Sequence, residues 1–314
     1  MPTDVHIRPL EEREIDEADR IMRMAFGTLL KMPDPMQMFG DSTFVKRWHA
    51  DPGAVLAAEL DGRLVGSNFA TNWGSFGFFG PLSVLPELWE QKIAQRLLDQ
   101  TMALFRKWEL RHTGLFTFPD SAKHAALYQK YGFWPRFLTP LMEKKVERGP
   151  ETPRYLKFST GSDEEKAQWV RACREVADSI YEGLDLTREI EAVHGQRLGD
   201  TVMITKGSRV AGFAVCHIGA GTEAGSDCCY VKFGAVRSGR RSAEDFERLL
   251  DVCEAFAVER GVSDVNAGVN MGRHQAYRAL IGRGYRTYMQ GVAMEQGNAA
   301  GYNRPGVFVI DDWR

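Results

Sequence analysis

The chain has 314 residues, 44% of them apolar and 26% charged, with a formal charge of −2. That length favours two domains, and the composition is that of an ordinary globular protein. The near-neutral balance gives no electrostatic grip on nucleic acid or an anionic membrane, and no run of about 18 apolar residues offers a membrane helix.

The start, MPTDVHIRPLEERE, has neither the basic residues nor the apolar stretch of a signal peptide, so a cytoplasmic location is expected. VHIRPL (5–10) reads as a strand and EREIDEADRIMRMAF (12–26) as an amphipathic helix. VLAAELDG and RLVGSNFATNW (55–73) form a hairpin around Asp61–Gly62. GPLSVL (80–85) is a strand, and a long helix is expected over roughly 91–110. GLFTF (114–118) is strand-like, AKHAALYQKY helical, and RFLTPLMEKKV (136–146) closes the unit. ERGPETPR (147–154), polar with two prolines, reads as a linker between domains at 1–148 and 155–314.

The second half opens with YLKFS (155–159), followed by a capping-box entry, Ser162 to Glu165, to a helix at 163–180. A second hairpin spans 200–219, its loop GAGTEAGSD (219–227) reads as flexible, and DCCYVKFGAV (227–236) is a strand. A long helix (242–261), the strand VSDVNAG and the short helix QAYRALIGRGYR follow. The tail VFVI is a candidate extra strand, bridging the halves or forming a dimer edge. Cysteines 173, 216, 228, 229 and 253 lack metal-type CxxC spacing and read as buried thiols.

This order is a repeat. Leu97–Leu98 precedes Gly132–Phe133 by 35 residues, and Leu249–Leu250 precedes Gly284–Tyr285 by the same 35. Both landmarks recur at an offset of 152, which points to a tandem duplication.

Each half resembles the Gcn5-related N-acetyltransferases (GNAT). The resemblance rests on GPLSVLPELWEQKIAQRLLDQ (80–100), on SAKHAALYQKYGF (121–133), and on the element order. It implies two tandem α+β domains, each a mixed, mostly antiparallel sheet flanked by helices. It also implies acetyl-CoA as co-substrate and an amine acceptor, small molecule or peptide, with the protein a monomer or homodimer. The family's pyrophosphate loop, Q/R-x-x-G-x-G/A, uses glycine and helix N-terminal amides to seat an anion. This sequence departs from it: Gln91, Lys92, Ile93 and Ala94, followed by Gln95 and Arg96, keep only the small Ala94, and a glycine position holds Lys92. In the second half Phe246 replaces the small residue and Glu244–Asp245 oppose an anion, so that copy is expected to be structural, with Ser242 and Asp245 reading as a helix cap.

The resemblance further implies that amides of Leu82, Ser83 and Val84 polarise the acyl carbonyl. Ser121 opens the second motif, and Tyr128 is implied to protonate the departing thiolate; a phenol stays protonated at neutral pH. The register puts Leu280 at the matching point of the second half. Glu59, Glu87, Asp120 and His124 read as surface groups, and no general base stands out. The methionine-rich KMPDPMQMF (31–39) is a candidate acceptor wall or a packing surface. An alternative is a non-catalytic acyl-CoA sensor or scaffold, since both pyrophosphate loops are eroded. An aminoacyl-tRNA transferase would want a basic face that the chain lacks.

Overall fold

The computed structural model describes residues 5–147, 149 and 153–314. Of the linker, Arg148 and residues 150–152 therefore lie outside the described residues. The first half runs β1 (His6–Pro9), α1 (Ile15–Leu29), α2 (Arg47–Ala50), β2 (Val55–Leu60), β3 (Arg63–Trp73), β4 (Phe76–Val84), α3 (Ile93–Lys107), β5 (His112–Thr117), α4 (Ala122–Gln129) and β6 (Phe133–Lys145). The second half repeats this order with β7 (Leu156–Lys157), α5 (Asp163–Asp178), α6 (Thr187–Gly195), β8 (Gly199–Lys206), β9 (Arg209–Gly219), β10 (Gly225–Val236), α7 (Ser242–Glu259), β11 (Asp264–Gly268), α8 (His274–Gly282) and β12 (Arg286–Gln296). A short β13 (Val309–Ile310) ends the chain's regular structure. The expected helix over 91–110 is shorter at both ends, the strand at 155–159 shrinks to two residues, and α6 was not foreseen. The Ser162–Glu165 capping box is formed in both directions.

Among the described residues, all thirteen strands join one sheet, in the order β1-β2-β3-β4-β5-β12-β6-β11-β10-β9-β8-β7, with β13 on β10. The order is a palindrome of equivalent strands. Its centre is the β6–β12 pair, where Thr139 faces Gly291, its own equivalent 152 residues on. The last strands are exchanged: β12 of the second half pairs with β5 of the first, and β6 of the first pairs with β11 of the second. Phe116 faces Ala293, and the symmetry-related pair Gly268–Leu141 has the same register. The duplication seen as a spacing in the sequence is thus a pseudo-twofold axis in the fold.

Cores lie on both faces. Phe79, Leu98, Phe105, Leu115, Tyr128 and Phe133 pack between α3, α4 and the sheet of the first half, together with Met294 from the exchanged strand. Phe246, Leu250, Phe256 and Leu280 form the corresponding core of the second half, with Met142 from β6. Each half therefore completes its core with a strand from the other. All five cysteines are buried and free, and Cys228 and Cys229 face different clusters.

The exchange predicts mutual dependence. Residues 1–147 and 153–314 made separately should give poorly dispersed amide NMR spectra, and mixing them should restore dispersion. A well-dispersed spectrum from either fragment alone would contradict this.

Candidate active site

In the first half, β4 and β5 run parallel only from Phe76–His112 to Phe79–Leu115. A register shift against β3 follows between Phe79 and Leu82, at Gly80–Pro81, and from there β4 has no neighbour on its β5 side. The bulge ends the pairing. Leu85 donates its amide to Val65 on β3, so by strand alternation Ser83 also faces β3 while Leu82 and Val84 face the opened edge. The Ser83 hydroxyl is likewise turned to β3, 3.3 Å from Ser67 Oγ. The Val84 carbonyl accepts from Trp89 Nε1 at 2.8 Å, which ties the following loop to the strand end.

That loop keeps the shape of a glycine loop without the glycines. Glu90 and Lys92 hold φ of 67° and 64°, left-handed conformations that cost a non-glycine residue on the order of 1–2 kcal/mol. Lys92 is the N-cap of α3 and offers no side-chain cap. The amides of Ile93, Ala94 and Gln95 consequently have no hydrogen-bond partner among the described residues. They point out of the positive end of a 15-residue helix. The Ile93 side chain is core, so its amide is what it can offer; Gln91, Lys92 and Arg96 are exposed around the helix start. Lys123 of α4 stands over Trp89 at 5.8 Å and 3.4 Å from Glu90, adding a cation at the same mouth. Sequence reading passed over Lys123, although it lies inside the motif that contains Ser121 and Tyr128.

Tyr128 lies on the wall of the opened edge, edge-on to Phe79 at 5.7 Å, in the cluster against which Leu82 packs. Burial raises its phenol above the usual range, so the proton is held firmly. The hydroxyl has no hydrogen-bond partner among the described residues. His124 stacks on the Tyr128 ring at 6.3 Å and takes or gives a 2.7 Å hydrogen bond to Ser121 Oγ. It is half-buried rather than a surface group, and burial, then Lys123, push its pKa down. Tyr131 is a packing residue: its hydroxyl bonds the Gln95 carbonyl and Asp99 on α3. Glu87 and Asp120 are exposed, and Glu59 is engaged by Arg8.

The second half shows what fills such an edge. There β10 and β11 part after Val231–Ala267, the pair equivalent to Phe79–Leu115. The vacated edge of β10 is taken by β13, with Gly234 opposite Ile310 and Ala235 opposite Val309. Val236, the counterpart of Val84, donates its amide to the Phe308 carbonyl at 3.4 Å. Phe308 packs on Phe246 at 5.4 Å, which explains the bulky residue where the first half has Ala94. Leu280, at the Tyr128 position, is fully buried beneath. The tail therefore closes the second groove, and its dimer-edge reading falls away. The proposed Ser242–Asp245 cap does not form either: Ser242 is the first helical residue and its hydroxyl bonds the Gly239 loop, while Asp245 pairs with Arg248.

Beyond β13 the tail returns to the first half. Asp311 is held by Arg273 at 2.7 Å and Tyr302 at 2.6 Å, and Asp312 by Tyr230 at 2.9 Å. Trp313 packs on Phe76 at 4.9 Å, and the Arg314 main-chain oxygen accepts from Arg47. Arg47 also donates to the Gly80 carbonyl at 2.8 Å, at the β4 bulge, and pairs with Glu223 of the second half at 2.6 Å. The loop 219–227, expected to be flexible, is instead docked on the segment after α1. Asp41 accepts from Ser226, and the Thr43 amide donates to the Thr222 carbonyl. The 31–39 segment leads into this junction, with Phe39 against Phe26 and Phe44.

Among the described residues no group of metal-ligating side chains gathers, and no helix is long and apolar enough to cross a membrane.

The fold and these motifs are shared with known proteins. Residues 20–133 match the "Acetyltransferase (GNAT) family". No curated protein sequence matches the chain. A candidate acetyltransferase from Pyrococcus horikoshii is similar over 98% of this chain and 95% of its own, at 15% identity and a TM-score of 0.68. A GCN5-related N-acetyltransferase from Sphaerobacter thermophilus covers 98% of both chains at 14% identity and a TM-score of 0.59. A tandem GNAT protein from the clavulanic acid biosynthesis pathway covers 93% of this chain and 98% of its own, at 14% identity and a TM-score of 0.55. The first half is thus similar to the GNAT acetyltransferase family over residues 20–133, and the whole chain has the tandem GNAT fold.

If the tail closes the second groove, removing its anchor should destabilise the protein. Ile310→Ala should lower the unfolding free energy by about 2–5 kcal/mol, read from urea denaturation. Ala243→Leu, on an exposed position of α7, should change it by less than about 0.5 kcal/mol.

Proposed function

We propose that the chain is an acyl-CoA-dependent N-acyltransferase with one working site, in the first half, where Tyr128 is the general acid. The observation that carries this reading is the contrast between two equivalent edges. Gly234 and Val236 are covered by the chain's own tail, whereas the amides of Leu82 and Val84 face an edge with no strand on it, beside an uncapped helix start.

Acetyl-CoA suits these residues. Its pantetheine amides match a strand edge that has lost its neighbour, and its pyrophosphate matches free helix N-terminal amides. The amides of Ile93, Ala94 and Gln95 would hold the pyrophosphate, with Lys92, Arg96 and Lys123 supplying positive charge. Ala94 leaves the approach open where Phe246 would block it. When bound, the thioester supplies an activated acyl group and a thiolate leaving group. The chain's part is then threefold. Leu82 and Val84 aim N–H donors along the opened edge, as an oxyanion-type stabiliser requires. Phe79 and the surrounding core exclude water. Tyr128 keeps its proton at Oη at neutral pH, because burial holds the phenol above its usual range, and is the proton donor placed nearest the departing thiolate in this reading. An amine acceptor would enter from the α1–α2 side, where the segment 31–46 and the second half meet.

Tyr128→Phe should leave acetyl-CoA affinity within twofold while lowering acyl transfer by roughly 10²–10⁴. Isothermal titration and a thiol-release assay measure the two separately. Unchanged turnover in this variant would remove Tyr128 from the reaction. Ala94→Trp should abolish acetyl-CoA binding, and Ala243→Trp should not. The reverse pattern would move the site to the second half, and binding without transfer to any amine would favour an acyl-CoA sensor.

A further inference from the structure

The junction between the halves contains a polar pocket of about 40 Å³, lined from the first half by Lys46, Arg47 and Asn72 and from the second by Glu189, His217, Glu223 and Lys232. By the same measure one water needs about 10–15 Å³, so the space admits a group of a few heavy atoms. It abuts the β4 bulge: Arg47 lines it and holds the Gly80 carbonyl, and Ala70, paired with Phe79, forms part of its wall.

Its two deepest carboxylates are already filled. Glu223 takes Arg47 and Lys232, and Glu189 takes Lys232 at 3.0 Å and Trp73 Nε1 at 3.3 Å. At the rim Asp51 is paired with Arg188. Three donors of the lining remain without a partner. His217 is 2% exposed, its Nδ1 accepts from the Glu223 amide at 3.4 Å, and its Nε2 is a buried polar atom with no partner. An accepting Nδ1 puts the ring proton on Nε2. Burial pushes this imidazole down to about 4, so it is neutral at pH 7 and donates through that proton. Asn72 commits its Oδ1 to the Gly74 amide, leaving its amino group over. Lys46, at the rim beside Gly221, has no ion pair among the described residues.

We propose that this inter-half pocket binds a carboxylate, and that it is the carboxylate of the amine acceptor. The assignment to an acceptor rests on the acyltransferase reading; the carboxylate site itself does not. Donors facing a pocket of this size, with every deep carboxylate neutralised, select a small acceptor-only anion. The second half thereby sets acceptor choice for a reaction carried out in the first: substrates are amino acids or short peptides rather than simple alkylamines.

Acetate alone is the first probe, titrated into the full-length protein with ¹⁵N-labelled histidine. The His217 Nε2 resonance, identified by its loss in His217→Gln or by its failure to protonate near pH 6, should shift saturably. Lys46→Gln, a change at the half-buried rim, should weaken acetate by about tenfold. No acetate-dependent shift, or a shift unaffected by Lys46→Gln, overturns the carboxylate site. The second probe is a set of amine pairs, each an amino acid and its amide, tested with acetyl-CoA. The acid should be the better acceptor, and Lys46→Gln should remove the preference through KM with kcat kept. Equal use of acid and amide overturns the acceptor assignment. Acetate binding in a protein that does not bind acetyl-CoA would leave the pocket standing and sink the acyltransferase reading instead.

Discussion

The constraint on which the molecule turns is a backbone edge. Where β4 leaves β5, and β10 leaves β11, a row of main-chain donors and acceptors loses its neighbour in the middle of a sheet. Such groups must be paired or wetted, since an unpaired buried amide costs about 1–3 kcal/mol. The bulges at Gly80–Pro81 and between Val231 and Phe233 create the opening in both halves. The two halves then differ in how the edge is satisfied. One is covered by Val309–Ile310; the other has no strand on it among the described residues.

The exchange of β6 and β12 explains why a closed second half is retained at all. Met294 and Val292 from the second half complete the core around Tyr128, and Gly291 packs without a side chain against the Phe116 ring. A Cβ there would meet that ring at 2.0 Å, so the close crossing of the two halves requires glycine at this point. The buried chain Arg47–Glu223–Lys232–Glu189 adds a second bond between halves, and it reaches the bulge through the Gly80 carbonyl. Removing one member would leave a buried charge uncompensated, which costs several kcal/mol. Rigidity at the bulge is therefore supplied from across the pseudo-twofold axis.

Much of this was legible in the residues and some was not. The 152-residue offset is carried by Leu–Leu and Gly–aromatic landmarks that sit at core and turn positions, where size and backbone conformation restrict the choice of residue. That is why it survives in the β6–β12 register when little else does. The hairpins, the capping box at Ser162 and the asymmetry of Tyr128 and Leu280 were readable for similar local reasons. Strand exchange was not, because β5 would pair equally well with β6 or with its equivalent, and local pattern cannot tell copies apart. The destination of VFVI was hidden for the same cause: an extra strand shows its propensity but not its partner. Lys92 looked like a lost glycine, yet the structure keeps the left-handed turn and bears the strain. The inter-half pocket had no sequence signature, since its residues are spread from Lys46 to Lys232.

The three departures of the second half also explain one another. A tyrosine at 280 would place its hydroxyl in a core that the tail has sealed, with no water within reach and a desolvation cost of about 1–3 kcal/mol. Leucine removes that cost. A small residue at 246 would leave a void against Phe308, and phenylalanine fills it. Carboxylates at 244 and 245 cost little once no anion has to dock there, and Asp245 finds Arg248 instead. Each change is unfavourable or pointless in an open groove and favourable in a closed one. The closed edge is thus the condition under which leucine, phenylalanine and the acidic pair become good choices. In the first half, by contrast, Tyr128, Ala94 and the uncapped amides after Lys92 stand beside an edge that no strand of the described residues covers.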